Sequence, residues 1–290
     1  MITFTGGTGK VSGMASATLA DLGLVFVAGL LTALATGLGA VPFFLVEEIS
    51  DRWNVVLWGL ASGIMVSASV FGLIQEGLAV VDGGLVDAAV AIGPGVLVGI
   101  GLVVVGHEVL VDAEVDARDY EEADFRKLVL ILGILTVHSF PEGVAVGVSF
   151  AELGIDDPGL ATVSVAGLVL PTLAVFMTVA ISVHNVPEGV AISIPLRSMG
   201  VSEWRMVWWA VFSSLPQPLG AVLAYYFVTL AEQFLPFGFG FAAGAMVYLV
   251  ATEFVPEALD QGASLPGGGR RELLGGITVG VLVMVPLAFA

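Results

Sequence analysis

The stretch KLVLILGILTVHSFPEGVAVGVSF, residues 127–150, decides the fold. It is long enough for one helix to cross the hydrocarbon core of a bilayer, which takes about 20 predominantly apolar residues. Yet its centre carries His138 and Glu142. A second stretch, TLAVFMTVAISVHNVPEGVAISIPL at 172–196, repeats the arrangement with His184 and Glu188. Working outward from these two, six further apolar runs qualify: 19–46, 53–81, 90–111, 206–231, 235–259 and 273–290. The expected fold is therefore an all-α integral membrane protein, a single domain of eight transmembrane helices.

Composition agrees. Of the 290 residues 57% are hydrophobic and 12% charged, against about 25% charged in an ordinary soluble domain. A soluble globular enzyme and a disordered chain are both excluded by this. The net charge of −17 would repel phosphate backbones, so no nucleic acid is an expected partner. The absence of cysteine rules out disulfides and thiolate metal sites. An acidic excess with only Lys10 and Lys127 as lysines suggests a halophilic source. The first run is too long, and lacks the basic start, for a cleaved signal peptide.

The basic residues order the runs across the membrane. Arg52 follows the first run, Arg118, Arg126 and Lys127 the third, Arg197 and Arg205 the fifth, and Arg270 and Arg271 the seventh. Connections 2–3, 4–5 and 6–7 carry none. Lys and Arg mark cytoplasmic loops. A multi-pass protein of the plasma membrane with both termini outside is expected. The acidic cytoplasmic loop 112–126 reads as a solvated linker. Pro171 is taken as the first residue of the fifth helix, and small residues spaced as in Gly29–Gly37, Gly93–Gly101 and Gly238–Gly244 as close helix packing.

Ionisable groups far from helix ends are costly in a membrane and mark function. HSFPEG at 138–143 and HNVPEG at 184–189 each place His and Glu at i and i+4, on one helix face about 6 Å apart. Both lie near the middle of their runs. The two helices cross in opposite directions, which gives the pair an inverted-repeat character of the kind transporters use around a midplane site. Pro141 and Pro187 each free a carbonyl one residue before the histidine, tolerable where a helix lines a polar cavity. Two imidazoles and two carboxylates without sulfur suit Zn²⁺, with Fe²⁺, Mn²⁺, Co²⁺ or Cd²⁺ as further candidates. The alternative without metal is a structural His–Glu pair or a proton relay. The metal would be substrate, and no organic cofactor is expected.

Weaker polar positions join the candidates for a second site or a pathway. Ser139 and Asn185 border the same faces as the two glutamates. Glu76 stands near the outer end of the second run, and Glu253 and Glu257 share a face of the seventh. Gln217 lies within SSLPQPLG of the sixth, Met65 in the second, and His107 near the inner end of the third.

HSFPEG followed by HNVPEG across eight expected helices resembles the ZIP (Zrt/Irt-like) family of divalent-metal transporters. TGLGAVPFF at 36–44, GIMVSASVFGLI at 63–74, SSLPQPLGA at 213–221 and FAAGAMVYLVATEFVPEA at 241–258 extend the likeness over nearly the whole chain. The resemblance implies a mid-membrane centre between the fourth and fifth helices. By position His138, Glu142, His184 and Glu188 match its primary site, with Asn185 a further ligand to a second metal shared by both glutamates. Ser139 stands where the family usually has Asn, and Gln217 where it often has Glu. One tightly held ion and a weak second position are therefore expected. Expected partners are divalent metal ions and the lipid bilayer, with a homodimer as a candidate assembly. No P-loop G-x-x-x-x-G-K-[ST] occurs, which argues against ATP-driven transport by this chain alone. The competing class is an intramembrane metal-dependent hydrolase.

Overall fold

In hydrocarbon every backbone polar group must be satisfied within the segment, so long apolar runs become helices. The computed structural model describes residues 17–46, 48–111, 122–153 and 161–285. Helix α1 (Leu19–Leu38) starts on a reciprocal cap: Asp21 N–H donates to the Thr18 hydroxyl and Thr18 N–H to the Asp21 carboxylate. A 3₁₀ turn at Val41–Phe44 leads to α2 (Asp51–Ala79). Next come α3 (Leu85–Val111) and α4 (Glu122–Ser149). An antiparallel hairpin, β1 (Thr162–Val165) and β2 (Leu168–Pro171), precedes α5 (Thr172–Ser198). Helix α6 spans Glu203–Leu230, broken after Ser213 and resumed at Pro216. Helix α7 runs from Leu235 to Gln261, and α8 covers Arg270–Met284.

Several bounds differ from the apolar runs. Helix α3 begins at Leu85 because the Asp87 carboxylate accepts the Gly84 N–H at 2.9 Å, capping turns that lie before the hydrophobic stretch. Helix α4 likewise begins at Glu122, inside the expected acidic loop. An apolar run measures the slab to be crossed, and a helix need not stop there. The hairpin amends the all-α expectation. Its β-branched residues alternate around Ala166 and Gly167, both at positive φ (50° and 85°), as a tight hairpin turn requires. Pro171 closes β2 and caps α5 rather than opening it. Of the small-residue pairs, Gly93 and Gly101 face open space, and Gly95 and Gly99 make the close contact with α7 instead. Residues 1–16, 112–121 and 286–290 lie outside the described part, and with them Lys10, Arg118, most of the acidic loop and the end of the last run.

Among the described residues six helices are long and apolar enough to cross a membrane: α1, α2, α3, α5, α6 and the span containing α7. Burial is inverted relative to a soluble protein. Leu97, Leu219, Leu223, Leu274 and Leu282 are exposed, while His138, Glu142, His184, Asn185, Glu188 and Gln217 are buried. Water as solvent would make that arrangement unstable, whereas lipid tails cover the leucines at no cost. Helix α2 packs along α8, α3 along α7 and α4 along α6, while α5 lies against α1 and α2.

Three of the four connections expected to share a side meet at one end. Arg52 Nε meets Glu272 Oε1 at 3.1 Å, and the Ser264 hydroxyl donates to Asp51 at 3.0 Å. Phe44 and Trp204 stack edge-to-face with centroids 5.1 Å apart. Connections 1–2, 5–6 and 7–8 therefore meet at one end of the bundle.

Candidate metal centre

Helices α4 and α5 bring three charged or basic side chains to one buried point. Donor atoms of Glu142, His184 and Glu188 all lie within 4.8 Å of one another. One ion held at about 2.1 Å from each donor keeps them no more than about 4.2 Å apart. Small side-chain rotations would close the difference. His184 Nε2 stands 3.3 Å from Glu142 Oε1, and Glu188 Oε1 is buried without a partner. Two carboxylates in so enclosed a space are costly unless a cation offsets them.

A polar chain holds the site in shape. Asn185 Nδ2 donates to the Thr32 carbonyl at 2.8 Å and to Gln217 Oε1 at 3.1 Å. Gln217 Nε2 then donates to Glu142 Oε2 at 2.5 Å. The Gln217 oxygen is thus taken by Asn185, and its N–H group faces the carboxylate. In this arrangement Gln217 orients Glu142 and supports its charge, and its oxygen already accepts one hydrogen bond. Asn185 Oδ1, like Glu188 Oε1, is buried without a partner and is an oxygen suited to a second ion.

The last letter of each Pro-Glu-Gly has a steric reason. A methyl group on Gly143 would lie 2.7 Å from the Gln217 Cα and collide with that residue's carbonyl. On Gly189 it would collide with the Thr36 carbonyl and lie 3.1 Å from the Gly39 Cα. Each glycine therefore admits the backbone of a neighbouring helix, α6 on one side and α1 on the other, to a polar residue's reach of the site.

The remaining expected residues are distributed. His138 is buried, with Nδ1 unpartnered, but does not come within reach of all three cluster members. The close approach of Gly106 in α3 to Val137 in α4 places His138 beside the α3 turn that carries His107. His107 Nδ1 lies 3.0 Å from Glu253 Oε1 of α7, and Glu257 accepts a hydrogen bond from Gln261 one turn on. Ser139 is buried in α4; Glu76 is half-buried near the end of α2. Met65 is fully buried in the main apolar core, with its carbonyl accepting the Ser69 hydroxyl.

Sequence reasoning missed three features. Thr32 supplies a carbonyl to Asn185, and the Thr36 and Ser214 hydroxyls bond at 2.8 Å. Buried threonines four apart in an otherwise apolar helix were the available signal. The π-helical segments Ala68–Ile74 of α2 and Val250–Phe254 of α7 had none; such bulges concentrate at functional sites, and the second carries Glu253.

A helical bundle with an inverted surface and a buried His/carboxylate cluster defines a membrane protein built to handle a cation. The family model described as ZIP Zinc transporter matches residues 159–288. Zinc transporter GufA of Myxococcus xanthus is 32% identical over 92% of this chain and 98% of its own length. Zinc transporter ZIPB of Bordetella bronchiseptica is 32% identical over 86% of this chain and 77% of its own. The putative zinc transporter At3g08650 of Arabidopsis thaliana is 40% identical over 79% of this chain. The chain spans 33% of that plant protein's length but nearly all of GufA. The chain belongs to the ZIP family of zinc transporters. Membership in a family of transporters sets aside the hydrolase alternative.

Proposed function

We propose that this chain carries divalent metal ions, Zn²⁺ first among the candidates Zn²⁺, Fe²⁺, Mn²⁺, Co²⁺ and Cd²⁺, across the plasma membrane into the cytoplasm. The buried Glu142–His184–Glu188 cluster carries this reading. Three protein donors leave coordination positions open, as suits an ion that must leave again. His138, one turn before Glu142, is the fourth donor, arriving when the ion does. Nitrogen and oxygen donors without sulfur fit the borderline dications.

All eight helices cross the membrane in this reading, α4 and α8 with the other six. The end that gathers Arg52, Arg197 and Arg270 faces the cytoplasm, and both termini face outward. A membrane potential negative inside then favours entry of a dication by about 4.6 kcal/mol per 100 mV. The test is Zn²⁺ uptake into proteoliposomes by the wild type and Glu188→Ala. Uptake by the variant at the wild-type rate would refute the assignment. Topology is tested by labelling cysteines placed at Asp82 and Ser264, which should react from opposite sides, the former from outside.

A further inference from the structure

We propose that a second cation site, unrelated to the mid-membrane cluster, lies at the arginine-bearing end of the bundle. A cavity of 460 Å³ opens there between the α1–α2 connection and the last turn of α5. Glu48, Asp51 and Asn54 line it from one side, and Ile194, Arg197 and Ser198 of α5 from the other. The first three recur every third residue, so the chain entering α2 presents two carboxylates and a carboxamide together. Asn54 is 7% exposed, and its Oδ1 is buried without any hydrogen-bond partner. A buried carbonyl oxygen left unpaired is costly, and a cation in the cavity would satisfy it.

The charge balance favours a cation over an anion. Arg197 is neutralised by Glu203, whose Oε1 accepts from Nη1 at 2.7 Å. Glu48 and Asp51 are left as surplus negative charge. Asp51 Oδ2 accepts the Ser264 hydroxyl, which fixes that carboxylate and leaves Oδ1 for a ligand. Helix α5 ends at the cavity after 27 residues, and a helix C-terminus carries partial negative charge. Every candidate donor is oxygen, which selects a hard dication of the Mg²⁺, Mn²⁺ or Ca²⁺ class rather than one that prefers imidazole. The geometry thus joins the start of α2 to the end of α5 through an ion, independently of what the central cluster transports.

The probe is Mn²⁺, titrated into the purified full-length protein and followed by the paramagnetic signal of the free ion. Glu188→Ala serves as background, so that the central cluster no longer contributes. One saturable Mn²⁺ should remain, displaced by Mg²⁺. Glu48→Gln and Asp51→Asn, each added to that background, should weaken it about tenfold or more. Glu48 is exposed and precedes the helix, so its variant is not expected to disturb folding. No saturable binding in Glu188→Ala, or binding that both substitutions leave unchanged, would overturn the proposal.

Discussion

In α5 both members of the His-x-x-x-Glu pair, His184 and Glu188, reach the buried cluster; in α4 only Glu142 does, and His138 stays outside. The two motifs differ by one residue that matters. Asn185 has a carboxamide that ties α5 to the Thr32 carbonyl of α1 and to Gln217 of α6. Ser139 at the matching place in α4 has a hydroxyl with one hydrogen to donate, against the two of the Asn185 amide. The α5 half is thus tied to α1 and α6 through Asn185, while in the α4 half Glu142 accepts from Gln217 of α6. One spacing therefore has two outcomes: both side chains in the cluster from α5, one from α4.

The largest effects should come where the halves are equivalent. Glu142→Ala and Glu188→Ala each remove a cluster donor, and each should cut Zn²⁺ uptake by about 100-fold or more, beyond the range seen for outer partners of a metal. Near-normal uptake in either would break the equivalence. The glycines come next. Gly143→Ala and Gly189→Ala each force a methyl group against a neighbouring backbone, and overpacking of this kind costs about 3 kcal/mol. Lower thermal stability of both purified variants is expected, with loss of transport even where the protein survives.

The histidines separate the halves. His184 lies inside the cluster and His138 outside it, so His184→Ala should impair Zn²⁺ binding by about 100-fold and His138→Ala by about 10-fold. Calorimetric titration of the two variants provides the comparison. Equal losses would mean that His138 is as much a resident ligand as His184.

How far these differences were legible beforehand depends on the kind of information each needs. The spans were readable because crossing a bilayer demands a length of apolar chain, and the α4 and α5 motifs because charge in that setting is expensive. The hairpin at 162–171 was not, since Val- and Leu-rich sequence of that length serves strand or helix equally. The exclusion of His138 was not either. An i, i+4 spacing puts two side chains on one face, but the neighbouring helix decides which of them meets a partner, and helix adjacency is absent from local pattern. Gly143 and Gly189 were visible as motif letters, yet their purpose needed the positions of Gln217 and Thr36. Asn54 carries no sequence signal because its significance lies in an oxygen left unpaired in three dimensions.

The smallest and most discriminating change is Gln217→Glu. Two dications about 4 Å apart repel by roughly 16 kcal/mol at an effective dielectric of 20, so a second ion beside the first needs additional negative ligands. The wild type provides Glu142 and Glu188 to share, and a Gln217 whose oxygen is already bonded to Asn185. Metal analysis of the purified wild type should therefore return one tightly held ion per chain. A glutamate at 217 adds a charge and removes the N–H donor that now supports Glu142. With metal present the added carboxylate becomes a ligand, and occupancy of the second position should rise with a change in transport rate or selectivity. With metal removed three carboxylates crowd one buried space, so chelation should destabilise Gln217→Glu more than the wild type in thermal unfolding. Two tightly held ions in the wild type would show that Asn185 and the existing carboxylates suffice, and that the amide at 217 is no barrier to a second metal.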